Sequence, residues 1–210
     1  MPRLTAWKIL RSGTTGPLRD VTPMAEREGL DPRDRGLLRR LVGTEVRRRG
    51  SLRAIASHFT QGKPSPDILA HVRLGLAQLL YLDQVPDHAA LSETVRAVSD
   101  SLGLSKSRYV NGVLRTAQRF RREGTSGDPT RDVYGRDWHF EFPVFRDPEQ
   151  HYYLWVEDAL SIPSALFKRW DKRYGREAAL GLAQAAQESP GVSLRAVGVT
   201  ADAGRRRHAG

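Results

Sequence analysis

Apolar and polar residues alternate with the period of an α-helix over most of the first 120 positions. Apolar residues recur three or four positions apart, which places them along one face of a helix. This pattern predicts helices over 3–12, 31–50, 51–59, 66–81, 87–103 and 105–120. Short polar connections between such helices favour antiparallel neighbours. The pattern therefore predicts an all-α, antiparallel helical bundle.

Residues at the ends of these segments indicate where the helices begin and end. Asp31 followed by Pro32 is typical of a helix start, because the carboxylate caps free backbone N–H groups and proline fits the first turn. Asp87 and Ser105 are the candidate caps of the last two helices of the bundle. Gly50 is the predicted end of the helix that begins at Asp31.

Beyond residue 120 the helical pattern weakens. The Gly-, Pro-, Ser- and Asp-rich segment that follows predicts a linker, which we extend over 123–150 to include a short aromatic stretch. Two further helices are predicted over 163–174 and 176–187, and the apolar run 192–199 predicts a strand. We therefore expect four parts: a bundle at 1–122, a linker at 123–150, a small two-helix segment ending in a short strand at 151–199, and a disordered tail at 200–210.

The net positive charge of the chain lies in the part that contains the predicted bundle. Residues 1–124 contain 22 Lys and Arg against 12 Asp and Glu, whereas residues 125–210 are balanced, so the net charge of +10 lies in the first part. A localised basic excess favours binding to a polyanion, most often nucleic acid. The alternative is a basic surface that serves only solubility.

The residue types present limit the chemistry. None of the 210 residues is cysteine, which excludes a disulfide, a cysteine-ligated zinc and a thiol nucleophile among them. The six histidines lack metal-ligand spacing, and no G-x-G-x-x-G segment is present. We expect no cofactor, no metal and no catalysis. Because no apolar run reaches the length of a membrane span and no signal-peptide core precedes the bundle, we expect a cytoplasmic protein without membrane contact.

Two segments resemble the helical domain of the NusB/RsmB family. They are RLGLAQLLYLDQVPDHAALSETV at 73–95 and YVNGVLRTAQR at 109–119, and LDPRDRGLLRRLVGTEVRR at 30–48 resembles an earlier helix of the same domain. The resemblance covers about residues 3–122. It implies a NusB-like bundle that binds RNA, with ribosomal RNA as the expected partner.

The resemblance continues past the bundle. The segment from Val144 to Val197 is similar to the region that joins the two parts of an RsmB-type ribosomal RNA cytosine-C5 methyltransferase. The positions that fit are Ser161, Pro163, Arg169, Trp170, Gly175, Leu194 and Arg195, whereas Ala165 and Ala196 depart from the family pattern.

Enzymes of this family use an S-adenosylmethionine-binding domain and two cysteines, and the chain contains neither, so we expect a noncatalytic counterpart of their N-terminal, substrate-binding region. Three alternatives stay open. One is a NusB-type transcription antitermination factor that acts with a ribosomal protein on nascent RNA. Another is a truncated or split methyltransferase with a separate catalytic domain. The third is a protein–protein adaptor that uses the helical bundle without binding RNA.

The candidate RNA-binding residues lie on the first, second and last helices of the predicted bundle. The resemblance marks Asn111 and Arg115, which share a helix face because they are four positions apart; helix packing is the alternative role. Trp7 lies among basic residues of the first helix and is either an RNA contact or a core anchor. Arg73 is predicted to be structural, with its head paired to a carboxylate. The full candidate set is Arg3, Lys8, Arg11, Arg39, Arg40, Arg47, Asn111, Arg115 and Arg119.

Overall fold

A central helix organises the structure, a computed structural model that describes residues 1–13 and 16–188. The bundle consists of α1 (Pro2–Arg11), α2 (Val21–Arg27), α3 (Pro32–Arg47), α4 (Arg49–Phe59), α5 (Pro66–Tyr81), α6 (Asp87–Leu102) and α7 (Leu104–Phe120). After it come β1 (Arg121–Glu123), β2 (Trp138–Phe140), α8 (Pro148–Leu160), α9 (Ser164–Tyr174) and α10 (Arg176–Ala185). The predicted all-α bundle is confirmed. The predicted strand at 192–199 and tail at 200–210 lie outside the described residues.

Helix α5 is the centre of the bundle because opposite faces of it are buried in two different clusters. Ala70 and Leu74 pack with α1, α2 and α3, whereas Val72 and Leu76 pack with α4, α6 and α7. Positions two residues apart point about 200° apart around a helix, so the two clusters lie on opposite sides of α5. The outer surfaces of α3 and α7 are therefore separated by the width of this helix.

The sequence predicts one helix start correctly and misplaces two caps. The Asp31 carboxylate accepts a hydrogen bond from the Asp34 N–H at 2.8 Å and caps α3, as expected. Asp87 is instead the first residue of α6, and its carboxylate accepts from Arg121 at 2.6 Å, which ties α6 to β1. Ser105 lies inside α7, whose first residue follows the positive-φ residue Gly103 directly.

Gly50 does not end α3, as the sequence predicts, but lies in the first turn of α4. A Cβ atom at this position would lie 2.0 Å from the backbone oxygen of Glu157 in α8. The glycine therefore permits two helix backbones to approach closely. Beside it, the Ser51 hydroxyl donates to the Ala159 backbone oxygen at 2.9 Å and the Ser51 N–H donates to the Ser161 hydroxyl at 3.0 Å, which fixes α8 against α4.

The segment predicted as a linker is packed against the bundle. Strands β1 and β2 pair in antiparallel fashion. Val133, Phe140, Val144 and Phe145 are buried in the same cluster as residues of α4 to α7. The division of the chain into domains stays a prediction.

Helices α8, α9 and α10 form a small extension with its own core. Val156 of α8 packs there with Phe167 of α9 and with Ala179 of α10. The sequence predicts α9 and α10 within one to two residues at each end, but it misses α8. The aromatic residues of α8 make its apolar face hard to distinguish from its polar face. In addition, His151 departs from helical backbone angles, with φ −139° and ψ 55°.

Candidate nucleic-acid interface

Trp7 is a core anchor of the bundle. Its ring is 5 % exposed and stacks on His71 of α5, with the ring centroids 5.0 Å apart. Its indole N–H donates to the Asp67 backbone oxygen at 3.2 Å, and the Arg11 guanidinium lies 4.7 Å from the ring centroid. Burial lowers the pKa of His71 to about 4, so this histidine is neutral at pH 7. Trp7 therefore positions α1, and the exposed cation beside it is Arg11.

Arg3 also faces the interior. It is 7 % exposed, and its Nε donates to the Gln78 Oε1 at 2.7 Å. Gln78 in turn donates to the Leu74 backbone oxygen and to the Thr94 hydroxyl, each at 2.9 Å. Burial lowers the pKa of Arg3, an effect that the charges of Glu93 and Asp34 oppose. Because this network ties α1 to α5 and α6, Arg3 is a structural residue of the interior and not part of the basic surface.

The other two candidates on α1 are exposed cations with a carboxylate partner. Lys8 Nζ lies 2.8 Å from Glu28, and Arg11 Nε lies 3.3 Å from Asp67. Their side chains are 40 % and 50 % exposed, respectively. Ion pairs at such a surface contribute little stability and can be exchanged for a phosphate partner.

Two candidates of α3 are exposed and donate to neutral partners. Arg39 donates to the Thr22 hydroxyl at 3.3 Å, and Arg40 donates to the side-chain oxygen of Gln84. We use the name α1–α3 surface for these two arginines together with Lys8 and Arg11. The four are spread along the bundle, because Arg11 contacts Asp67 at the start of α5 and Arg40 contacts Gln84 beyond its end. Arg47, at the end of α3, is half-buried and lies at the junction with Gly135 and Arg136.

The three candidates of α7 form a second surface, the α7 surface, consisting of Asn111, Arg115 and Arg119. The Arg115 Nε donates to the Asn111 Oδ1 at 3.2 Å, and the Arg119 guanidinium lies 5.5 Å from the ring centroid of Phe120. Asn111 and Arg115 line an open groove of about 630 Å³ between α6 and α7. The other lining residues are His88, Leu91, Ser92, Val95 and Gln118. Since α5 separates α3 from α7, the candidate residues do not form one continuous surface.

Arg73 has the structural role that the sequence predicts. Its Nε lies 2.7 Å from the carboxylate of Glu45, which is fully buried. Arg49 binds the same carboxylate at 2.7 Å. This buried ion-paired group joins α3, α4 and α5 and contributes no free cation to the surface.

Sequence reasoning missed a dense group of exposed cations on α9. Its members are Lys168, Arg169, Lys172 and Arg173. The balanced charge of residues 125–210 concealed them, because acidic residues elsewhere in that part of the chain offset them. The local sequence FKRWDKRY, at 167–174, would have indicated this group of cations. Lys168 and Arg173 lie against tyrosine rings, 5.2 Å from Tyr153 and 5.3 Å from Tyr174.

The described residues offer no metal site, since nowhere among 1–13 and 16–188 do three or more His, Cys, Asp or Glu side chains come together to hold an ion. In the same part of the chain, none of the helices combines the length and the apolar character that crossing a membrane requires.

The chain is similar to one protein family and to several known proteins. The model of the NusB family matches residues 4–119. The chain is 30 % identical over 175 residues to the probable ribosomal RNA small subunit methyltransferase B of Bacillus subtilis, a match that covers 82 % of this chain and 34 % of that protein. It is 37 % identical over 102 residues to the protein of the same name from Synechocystis, covering 47 % of this chain and 23 % of the relative. The ribosomal RNA small subunit methyltransferase B of Pseudomonas putida is 34 % identical over 132 residues, which is 60 % of this chain and 30 % of that protein. The chain thus spans about a third or less of the length of these relatives and matches their N-terminal region.

Proposed function

The chain belongs to the NusB family, and from this premise we propose that it binds structured ribosomal RNA without catalysing a reaction on it. The observation that carries the proposal is the extent of the similarity to the methyltransferase B of Bacillus subtilis. That similarity covers 82 % of the chain, more than the NusB-matching residues 4–119 alone. The chain therefore corresponds to the region of those relatives that would hold the RNA substrate.

The charge distribution of the bundle supports this proposal. The net charge of +10 lies in residues 1–124. The four exposed cations of the α1–α3 surface form surface ion pairs or donate to neutral partners. Guanidinium groups of this kind bind phosphate oxygens in a fork geometry and give affinity with little sequence information.

The groove beside the α7 surface supplies groups of a different kind. Its lining combines the Asn111 amide and the Gln118 amide with the apolar side chains of Leu91 and Val95. Unpaired bases of RNA are recognised by amide hydrogen bonds and by apolar or stacking contacts. We propose that the α1–α3 surface contacts the RNA backbone and that this groove receives unpaired nucleotides.

A transcription antitermination role is the other function that the sequence allows. Such a factor does not need the residues after the bundle, whereas the similarity to the Bacillus protein extends over them. For this reason we take ribosomal RNA as the ligand. We also propose a methyltransferase catalytic domain as the partner that would act on the bound RNA, because the matches cover only 34 % and 30 % of the two methyltransferase relatives.

Fluorescence anisotropy with fragments of small-subunit ribosomal RNA tests the proposal. We expect micromolar or tighter binding at low salt, and a scrambled RNA of equal length and charge is expected to bind several-fold more weakly. If four phosphates are contacted, affinity falls roughly 50-fold between about 50 and 200 mM salt. Absence of binding to every ribosomal fragment at low salt would refute the proposed function.

A further inference from the structure

A small depression lies where the bundle, the β1–β2 connection and the end of the extension meet. Its volume is about 130 Å³, roughly ten times what one ordered water requires. Three structurally separate parts of the chain form it: the end of α3 and the residue that follows it with the end of α5, the turn before β2, and the residues after α10. The lining residues are Thr44, Arg47, Arg48, Tyr81, Gly135, Arg136 and Gln187.

The depression concentrates positive charge. Three of its lining residues, Arg47, Arg48 and Arg136, are arginines, and none of the described lining residues is a carboxylate. Burial lowers the pKa of Arg48, and the charges of Arg47 and Arg136 lower it further. Arginines brought together in this way favour a ligand that carries negative charge, although the Asp83 carboxylate already offsets the charge of Arg136.

The Arg48 guanidinium is held in place. Its Nη1 donates to the Tyr134 backbone oxygen and its Nη2 to the Gln187 backbone oxygen, both at 3.2 Å. It also lies 5.0 Å from the ring centroid of Tyr81. Gly135 has a φ of 71°, and a Cβ atom there would lie 3.2 Å from the Arg48 Nη2. The turn before β2 therefore leaves room for a fixed cation, which is the arrangement of a preorganised binding site.

Three buried polar atoms of the lining have no hydrogen-bond partner among the described residues: the Arg136 Nε, the Gln187 Oε1 and the Tyr81 hydroxyl. The first is the Nε of Arg136, whose two terminal nitrogens bind the exposed carboxylate of Asp83. The second is the Oε1 of Gln187, a residue only 4 % exposed whose Nε2 donates to the Leu160 backbone oxygen. A buried donor and a buried acceptor of this kind each cost free energy unless a ligand or water satisfies them.

We propose that this depression binds a phosphoryl oxyanion, supplied either by free phosphate or by a phosphate of an RNA backbone. Phosphate oxygens accept from Arg48 and from the Arg136 Nε, as guanidinium groups favour. The acceptor Gln187 Oε1 takes the O–H of hydrogen phosphate or, in RNA, the 2′-OH of the neighbouring ribose. A water would satisfy the Arg136 Nε and the Gln187 Oε1 but would add no negative charge and would fill little of the volume.

Binding of inorganic phosphate tests the site directly and does not depend on the proposed RNA function. The full chain is titrated with phosphate at constant ionic strength, and both the melting temperature and the ³¹P NMR line width of phosphate are followed. We expect a saturable response, with the melting temperature rising roughly 3 °C at ten times the dissociation constant. Sulfate, which has no hydrogen for Gln187 Oε1, is expected to bind several-fold more weakly.

Two matched variants localise the response. Arg136→Gln removes the unpaired donor and one charge, and it is expected to weaken phosphate binding about tenfold. Arg122→Gln is the control, because Arg122 is likewise paired to a surface carboxylate, that of Glu141, but lies outside the depression. A saturable wild-type response that Arg122→Gln keeps and Arg136→Gln loses supports the site. A non-saturable wild-type response, or the same response in all three proteins, overturns it, and the ³¹P measurement on the wild type decides even if Arg136→Gln is unstable.

A competition experiment identifies the source of the oxyanion. If the site takes a backbone phosphate, saturating phosphate weakens the binding of ribosomal RNA fragments to the wild type at least threefold and leaves Arg136→Gln unaffected. If phosphate and RNA bind without influencing one another, the ligand is free phosphate. Either result supports the oxyanion site, which fails if phosphate does not bind or if Arg136→Gln responds as the wild type does.

Discussion

The bundle and the α8–α10 extension contain similar residue types in different surroundings. In the bundle, interior cations are paired with polar groups, as Arg3 is with Gln78, and the cations of the α1–α3 surface are held weakly at the outside. In the extension, Lys168 lies on Tyr153 and Arg176 lies on Tyr152, 4.7 Å from its centroid. Some exposed cations of the bundle also lie against rings, as Arg11 does on Trp7. Net charge alone therefore says little about RNA binding, because the surroundings of each cation decide whether it is available.

The two regions also differ in how they are stabilised. The bundle is built around α5, whose opposite faces are buried in two clusters. The extension has a small core and depends on the contact of α8 with α4 at Gly50. The contact between α4 and α8 is consequently the place where a single substitution separates the behaviour of the two regions.

The largest effect on the free energy of unfolding is expected from Gly50→Ala. The added methyl group would lie 2.0 Å from the Glu157 backbone oxygen, so α4 and α8 must move apart. We expect the free energy of unfolding to fall by about 3 kcal/mol. Hydrogen exchange is expected to show that α8 to α10 lose protection while α5 to α7 keep theirs.

The control for this substitution is Gly112→Ala on the outside of α7. A Cβ atom there meets nothing within 4 Å, so alanine is expected to stabilise the helix by roughly 0.5–1 kcal/mol. If Gly50→Ala proved as stable as Gly112→Ala, the result would contradict the close approach of α4 to α8.

Acid is expected to destabilise the bundle through His71. Its pKa is lowered from 6.5 to about 4 by burial, so the unfolded chain binds a proton more readily than the folded one. The stability that neutral His71 provides is complete above pH 6.5 and is lost as the pH falls towards 4. We expect a loss of about 2 kcal/mol between pH 6.5 and 5, measured by denaturant unfolding at each pH.

His71→Phe keeps a ring beside Trp7 and removes the titrating group, so most of this pH dependence is expected to disappear. Burial lowers the pKa of His58 as well, which leaves a smaller slope of the same sign. Replacement of the exposed His88 by Gln is the control and should leave the wild-type slope unchanged. An unchanged slope in His71→Phe would show that His71 is not the buried group responsible.

Much of the fold could be predicted because it depends on local pattern. The apolar stripe of α5 and the Asp31–Pro32 start of α3 both follow from residues within a few positions of one another. The role of Gly50 could not be predicted, since its reason is a backbone atom 107 positions later in the chain, at Glu157. A glycine that allows close packing and a glycine that ends a helix look the same in a sequence.

The candidate site was less predictable than the fold for the same reason. The pairing of Arg73 with a carboxylate was predicted correctly, because an arginine within a largely apolar helix needs a partner. The interior position of Arg3 depends on Gln78, 75 positions away, and no periodic pattern on α1 indicates it. The α9 cations were missed because charge was totalled over a long segment instead of over one helix face.

Substitutions on the α7 surface are expected to cause a moderate loss of affinity for RNA. Arg115→Gln combined with Arg119→Gln is expected to lower the affinity for ribosomal RNA about fivefold to tenfold and to reduce the salt slope by roughly 1 to 2, because each arginine is expected to contact a phosphate of the nucleotides that enter the groove. Anisotropy titrations at several salt concentrations measure both quantities. The matched control is Arg53→Gln with Arg96→Gln, two exposed arginines of α4 and α6 outside both surfaces, which should change affinity less than twofold. Equal losses in the two double variants would mean that net charge alone governs binding.

We propose that the bundle, and not the extension, holds the RNA. Two variants with the same loss of four charges test it directly: Lys8→Gln, Arg11→Gln, Arg39→Gln and Arg40→Gln in the bundle, against Lys168→Gln, Arg169→Gln, Lys172→Gln and Arg173→Gln in the extension. Their dissociation constants for one small-subunit ribosomal RNA fragment are compared at equal salt. We predict a loss of roughly 30-fold or more for the bundle variant, with a salt slope lower by about 3, and less than threefold for the extension variant. Equal losses, or a greater loss in the extension variant, would contradict the claim.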